Sequence, residues 1–127
     1  MKEFITTADA PAAIGTYSQA VRCGTTVYLS GQIPLDPDTN EVCEGGFSDR
    51  VAQAFANLLA VAKASGGDFS CVVKLNVYLT DMACFPIVNE VMSGCWPRPY
   101  PARAVVEVSA LPKGVDIEMD AVLIIEE

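Results

Sequence analysis

The order of apolar and polar positions along the chain predicts strands at both ends and two helices between them. Residues 17–21 alternate imperfectly, and residues 26–29 are β-branched and aromatic, so two strands joined by a tight turn at residues 23–25 are predicted. Residues 35–46 contain prolines, aspartates and a glycine pair, and this composition predicts a loop.

The clearest helical pattern follows this loop. Ser48 is the predicted N-cap, Asp49 opens the first turn, and Gly66-Gly67 marks the end. The apolar positions that recur at helical spacing are Val51, Phe55, Leu58, Leu59 and Ala62. The pattern predicts an amphipathic helix with one face in the core.

The second half of the chain repeats the alternation of strand and helix. A long strand is predicted at residues 71–79, then a helix capped by Asp81 that runs to about Ser93. Three prolines within residues 97–101 exclude regular structure there. Two closing strands are predicted, at residues 103–108 and from Asp116 onward.

The resulting order, β-β-α-β-α-β-β, predicts an α+β domain over residues 1–127 with both helices on one face of a single mixed sheet. No helix remains to cover the other face. Hydrophobic residues make up 51% of the chain and the mean hydropathy is +0.32. We therefore expect subunit association to cover the second face.

Charge and composition exclude several classes of function. The formal net charge is −8 and there is no histidine, so nucleic acid is an unfavourable partner and the commonest general base is absent. No apolar run is long enough for a membrane span. The five cysteines contain no C-x-x-C pair, so no metal site is predicted. Cysteines in this pattern indicate a reducing compartment such as the cytoplasm, or alternatively an organelle matrix. Residues 1–15 do not resemble a secretory signal.

Arg103 stands between the proline-rich turn and an apolar run. This placement predicts a half-buried guanidinium that needs an anion, and its planar fork suits a carboxylate. The alternative is a surface arginine, or one that pairs with a neighbouring acid for structure. Glu118 is a candidate partner, although Asp116, Glu118 and Asp120 share one face of the last strand, which usually indicates a solvated face.

Other candidates give weaker signals. Gly31, preceded by Ser30, follows a strand, where glycine permits close backbone approach to a ligand or marks a bend. Tyr17 is either an aromatic wall or a core residue, and Asn89 lies in the second helix, where amides are mostly exposed. Without histidine, Cys–His and Ser–His nucleophiles are excluded.

Taken together, these segments resemble the RidA family (also called the YjgF family) of reactive-intermediate deaminases. The resemblance covers residues 3–125 and is carried by APAAIGTYSQAV, YLSGQIPLDP, NVYLTDM and PARAVVEVSALPKGVDIEMDA. It implies a chorismate-mutase-like fold, a homotrimer with ligand sites between subunits, and no cofactor. The implied reaction converts 2-imino or enamine acids, such as 2-iminopropanoate and 2-iminobutanoate, into 2-keto acids and ammonia.

The resemblance also implies roles for individual residues. Arg103 matches the arginine that binds the substrate carboxylate, and Glu118 matches the acid that activates water. Tyr17, Ser30, Gly31 and Asn89 match positions that line the pocket. Val105 also lies at a pocket position, where many members of the family have cysteine, and residues 92–100 are shorter than is usual for the family.

Two other functions compete with imine hydrolysis. A non-catalytic trimer that binds small carboxylates and regulates a partner is the main alternative, and the presence of Glu118 favours the enzyme. RNA cleavage is disfavoured by the acidic charge and the absence of histidine. Chorismate mutase activity rests on fold alone, which is weak evidence for function.

Overall fold

The computed structural model of the chain describes residues 1–126 and contains one six-stranded sheet and two helices. The strands are β1 (Lys2–Ile5), β2 (Ala20–Cys23), β3 (Thr26–Gln32), β4 (Val72–Leu79), β5 (Ala102–Glu107) and β6 (Ile117–Ile124). The helices are α1 (Phe47–Ala64) and α2 (Phe85–Cys95). The fold class predicted from the sequence is confirmed, with β1 as an additional strand.

The sheet has the order β1-β2-β3-β6-β4-β5. Neighbouring strands are antiparallel except for β4 and β5, which are parallel and connected through α2. The last strand of the sequence therefore lies in the middle of the sheet, hydrogen-bonded to β3 on one side and β4 on the other. The sheet is mixed, as predicted.

The core lies between the helices and one face of the sheet. The inward-facing residues of β6 are almost fully buried because every second position points toward the helices. Across the interface, α1 contributes Phe55 and Leu58, and α2 contributes Val88 and Met92. A cluster of three aromatic rings closes one end of the core, in which Trp96 stacks on Phe69 at 3.9 Å and both contact Phe55 edge to face.

The helix ends differ in detail from the predictions. Ser48 is not the N-cap of α1: the cap is Gly46, whose backbone N–H donates to Asp49 Oδ2 at 2.9 Å. Asp49 thus stabilises the helix start from its first turn. Asp81 does act as a cap, accepting from the Ala83 N–H at 3.0 Å, but it caps a short 3₁₀ turn that leads into α2.

The other face of the sheet, here called the open face, has no helix over it. A row of registered side chains crosses four strands on this face: Phe4, Val21, Tyr28 and Val122. Phe4 is 64% exposed and Tyr28 is 56% exposed. Exposed apolar side chains in such a continuous row are typical of surfaces that associate with another protein surface.

Among residues 1–126, neither helix is long and apolar enough to cross a membrane.

Candidate active site

Two depressions contain the residues singled out from the sequence. The first, here called the Glu118 pocket, has a volume of about 410 Å³ and is lined by Ile14, Tyr17, Ser30, Gly31, Lys113 and Glu118, among others. The second, here called the Arg103 pocket, has a volume of about 470 Å³ and is lined by Asn89, Met92, Ser93, Tyr100, Pro101 and Arg103. Six of the seven predicted site residues therefore line one pocket or the other.

A β-bulge shapes the Glu118 pocket. Leu29 pairs with Ala121 and Gln32 with Met119, so Ser30 and Gly31 together face the single residue between them on β6. This extra residue bends β3 at the pocket wall. The hydroxyl of Ser30 donates to the carbonyl oxygen of Ser18 at 2.5 Å and ties the bulge to the preceding loop.

Gly31 lies directly against Glu118. A methyl group built on Gly31 would overlap the Glu118 carboxylate and would lie 2.9 Å from its Cδ atom. The backbone conformation of Gly31 is one that any residue adopts, so glycine is needed here for space and not for its φ angle. The close approach inferred from the sequence is therefore made to Glu118 itself.

The environment of Glu118 favours its protonated form. Burial, and then the negative charge of Asp120, raise the pKa of Glu118 above its ordinary value. Asp120 is held in place by the side-chain amide of Asn76, at 2.8 Å, and by the hydroxyl of Tyr78, at 2.9 Å. A half-buried carboxyl group with a raised pKa is a stronger proton acceptor than an ordinary glutamate, which suits general acid–base catalysis.

Tyr78 contributes a donor and not a base to this network. Burial, then its hydrogen bond to Asp120 and the charges of Asp120 and Glu118, raise the pKa of Tyr78 to about 12. The phenol therefore stays protonated throughout the physiological pH range, and its O–H donates a hydrogen bond to Asp120. Of Tyr78 and Glu118, only Glu118 is suited to exchange protons.

The loop that carries Tyr17 depends on Gln19, a residue that sequence reasoning missed. Gln19 is 3% exposed. Its Oε1 accepts from the Thr7 N–H at 2.7 Å, and its Nε2 donates to the carbonyl oxygens of Thr7, at 3.1 Å, and Pro11, at 2.8 Å. The only signal in the sequence was that Gln19 is a polar residue within a segment predicted to be a strand.

In the Arg103 pocket, the guanidinium is oriented by α2. Nη1 of Arg103 donates to Asn89 Oδ1 at 2.7 Å, and the Arg103 Cζ atom lies 5.2 Å from the centre of the Phe85 ring. These contacts use one nitrogen and one face of the Arg103 guanidinium. The other N–H groups of the guanidinium are available to a ligand. Asn89 is therefore an orienting residue and not an idle surface amide.

One expectation about this region was wrong. Arg103 is exposed in the isolated chain and is not half-buried, because β5 is an edge strand and only α2 lies beside it. The side chain of Val105 packs against the hydrophobic core and lines neither pocket of the single chain, and its contact with a ligand stays a prediction.

Arg103 and Glu118 do not meet within one chain. Arg103 pairs with buried Leu75 and contacts α2, so it lies on the helix side of the sheet, whereas Glu118 pairs with Tyr78 and lies on the open face. Strand β4 separates them, at about 10 Å across the sheet and about 10 Å along it. Each pocket therefore presents one half of the predicted constellation, and a single chain does not bring the two halves together.

The remaining reactive side chains form no second centre. All five cysteines are free. Burial raises the pKa of the Cys95 thiol, which disfavours a thiolate nucleophile there. Within the described part of the chain, no three His, Cys, Asp or Glu side chains are grouped as metal ligands.

Known proteins of similar sequence cover almost the whole chain. A protein of Dermatophagoides farinae named 2-iminobutanoate/2-iminopropanoate deaminase is 46% identical over 125 residues, which are 98% of each chain. The human protein of the same name is 45% identical over 124 residues, which are 98% of this chain and 90% of that one. A RutC family protein of Sinorhizobium fredii is 46% identical over 123 residues, which are 97% of this chain and 98% of that one.

Solved structures agree with these sequences. The crystal structure of RidA from the Antarctic bacterium Psychrobacter superposes with a TM-score of 0.94 at 50% identity and covers 97% of this chain and 99% of that chain. E. coli TdcF with bound serine superposes with a TM-score of 0.91 at 34% identity and covers 98% of this chain and 99% of that one. The family model described as Endoribonuclease L-PSP matches residues 7–125. The chain therefore belongs to the RidA family.

Proposed function

We propose that the protein hydrolyses reactive 2-imino acids and their enamine tautomers, including 2-iminopropanoate and 2-iminobutanoate, to 2-keto acids and ammonia. The observation that carries the proposal is the half-buried Glu118 carboxyl group, with its raised pKa, against Gly31 in a lined pocket. Relatives named 2-iminobutanoate/2-iminopropanoate deaminase at about 45% identity support it.

The reaction needs positioning more than a strong nucleophile. The carbon of a protonated imine is already electrophilic, so a water molecule that loses a proton to the Glu118 carboxylate can add to it and give a neutral tetrahedral carbinolamine. Glu118 returns this proton to the nitrogen, which becomes an ammonium group. Glu118 then accepts the hydroxyl proton as the carbon–nitrogen bond breaks, so that ammonia leaves and the keto group forms. The free N–H groups of Arg103 bind the substrate carboxylate and fix the imine carbon relative to the water.

This mechanism needs Arg103 from one subunit and Glu118 from a neighbouring subunit, because the two lie on opposite faces of one sheet. We infer a homotrimer, the assembly expected from the family resemblance, with three such composite sites. The apolar row on the open face supports the association, since it would otherwise stay in water. A crystal structure of the family member TdcF contains bound serine, an amino acid with the carboxylate group that Arg103 is proposed to bind.

RNA cleavage is not proposed, although the description of the family model names an endoribonuclease. The chain has a net charge of −8 and no histidine. It therefore offers neither the positive surface that holds a phosphate backbone nor an imidazole for acid–base cleavage.

The test generates 2-iminobutanoate or 2-iminopropanoate in situ with an amino-acid oxidase and traps the unhydrolysed imine with semicarbazide. Catalytic amounts of the protein should increase keto-acid release and decrease the trapped adduct. Arg103→Ala should lower this activity by roughly 30-fold to 5,000-fold, from the loss of about 2–5 kcal/mol of charged hydrogen bonding. Arg103→Lys should retain a small residual activity because it keeps the charge without the fork.

Lys63→Ala is the matched control, since it removes an exposed cation of α1 that does not line the Arg103 pocket. A folded Arg103→Ala variant with full activity would refute the mechanism. If the wild-type protein binds 2-oxobutanoate but does not accelerate imine hydrolysis, the non-catalytic carboxylate-binding function takes the place of the enzyme.

A further inference from the structure

A second arginine, Arg98, lies against a residue that lines the Arg103 pocket. The Cζ atom of Arg98 is 5.6 Å from the centre of the Tyr100 ring, and Tyr100 lines the pocket together with Arg103. The reaction as described above uses Arg103 and not Arg98.

Arg98 is held in place more firmly than an ordinary surface arginine. It stands between Pro97 and Pro99, which restrict the backbone on both sides. The segment is anchored at one end by Trp96, 4% exposed in the aromatic cluster, and passes directly into β5 at the other end. The stacking on Tyr100 then limits where the guanidinium can lie.

Neither guanidinium is neutralised within the chain. Among residues 1–126, no carboxylate oxygen lies within 4.0 Å of Arg98 or Arg103, whereas Arg50 forms a two-pronged ion pair with Asp116. Two arginines without a carboxylate partner, one lining the Arg103 pocket and one stacked on Tyr100 beside it, make a local positive site in a molecule with net charge −8. Such a site attracts a ligand with more than one negative charge.

We propose that Arg98 is a specificity-determining residue that recognises a second carboxylate, so that the preferred substrates are 2-imino diacids such as 2-iminosuccinate and 2-iminoglutarate. This inference rests on the proposed imine hydrolysis. Arg103 binds the carboxylate next to the imine carbon, and Arg98 binds the carboxylate at the end of the side chain. Water adds to the carbon and ammonia leaves as before, which gives a keto diacid.

The experiment compares two substrates in the same enzyme preparation. An aspartate or glutamate oxidase supplies the imino diacid, a broad amino-acid oxidase supplies 2-iminobutanoate, and the keto acids are measured with semicarbazide present. Arg98→Gln should lower kcat/KM for 2-iminoglutarate by about fivefold, the effect of one exposed charge pair, and leave kcat/KM for 2-iminobutanoate unchanged. The ratio of the two values is insensitive to differences in the active fraction.

Two controls separate charge from geometry. Lys63→Gln removes one positive charge from α1 and should not change the ratio. Arg98→Lys keeps the charge and should give an intermediate ratio, and the preference should weaken at high salt because Arg98 is exposed. An Arg98→Gln ratio equal to that of the wild type, or an equal loss for both substrates, would overturn the assignment.

Binding measurements keep this test independent of turnover. By calorimetry, the wild-type protein should bind 2-oxoglutarate more tightly than 2-oxobutanoate, and Arg98→Gln should abolish the difference. If 2-iminobutanoate is hydrolysed but neither ratio depends on Arg98, the specificity inference fails and the proposed function stands. If no imine is hydrolysed, the proposed function fails, and a preference for 2-oxoglutarate that depends on Arg98 would still support the second carboxylate site.

Discussion

The contact between Gly31 and Glu118 allows one substitution to separate activity from stability. In Gly31→Ala, the added methyl group would occupy the space of the Glu118 carboxylate, with 2.9 Å to Cδ. The backbone at Gly31 needs no left-handed conformation, so the new residue strains nothing locally. The substitution should therefore act only by displacing Glu118.

The expected magnitudes follow from which atoms must move. The overlapping group is the end of a flexible side chain, which can turn away at a cost of about 0.5–1.5 kcal/mol. Replacement of glycine by alanine also lowers the entropy of the unfolded chain, and this stabilises the folded protein by about 0.4–1 kcal/mol, which offsets most of that cost. Stability should thus change little, whereas a shift of about 1 Å in the proton acceptor should lower kcat roughly a hundredfold.

The assay is keto-acid release in the presence of semicarbazide, together with urea unfolding of the same samples. Gly94→Ala serves as the matched control, because nothing lies within 4 Å of a methyl group at that position of α2. It should keep full activity and gain up to about 1 kcal/mol from better helix propensity.

The double variant with Glu118→Gln completes the experiment. If Gly31→Ala acts through Glu118, it should reduce the activity of Glu118→Gln no further, since the proton acceptor is already absent. Full activity in a folded Gly31→Ala protein would refute the reasoning. Independent, multiplicative losses in the double variant would show that Gly31 acts through something other than Glu118.

Two further predictions test the surroundings of the site. The pKa of Glu118 is raised in the folded protein, so folding favours the protonated acid. The stability that protonated Glu118 contributes is therefore fully present below the ordinary glutamate pKa of about 4.3, and it is lost as the pH rises through the pKa of the folded protein. Glu118→Gln should therefore be more stable than wild type in urea at pH 7 and show no gain at pH 4, with Glu90→Gln as a surface control; equal effects at both pH values would contradict the assigned cause. Gln19→Met should lose about 1–3 kcal/mol by leaving the polar groups of Thr7 and Pro11 unpaired, and should raise KM more than it lowers kcat. Hydrogen exchange at the Thr7 amide should become faster, and unchanged exchange would exclude Gln19 as the residue that holds this loop.

Local patterns were sufficient to predict most of the fold. The helical spacing in α1 and the strict alternation of buried and half-buried residues in β6 each follow from one-sided burial, which a sequence records directly. Strand β1 was not predicted because its sequence, KEFI, has only one buried residue. It is a strand because β2 provides the hydrogen-bonding partner, and a partner distant in sequence leaves no local signal.

The site was predicted less completely, for a physical reason. The residue pattern singled out Arg103, Glu118, Tyr17 and Asn89, the family resemblance gave them roles, and all four line a pocket. Their division between two pockets depends on the order of strands in the sheet and on which face each residue occupies. Neither property is a local feature, so the sequence suggested a direct Arg103–Glu118 pair that a single chain does not form.

The central position of β6 also has a consequence for how the protein folds. In the sheet, β3 and β4 do not pair with each other, and β6 lies between them. The paired residues Thr26 and Ile124 are among those farthest apart along the sequence. A nascent chain therefore cannot complete its sheet until Ile117–Ile124 have left the ribosome, and closing such distant contacts makes folding slow. Glu118 is carried by this same strand, so a chain that lacks β6 has neither the finished sheet nor the proton acceptor.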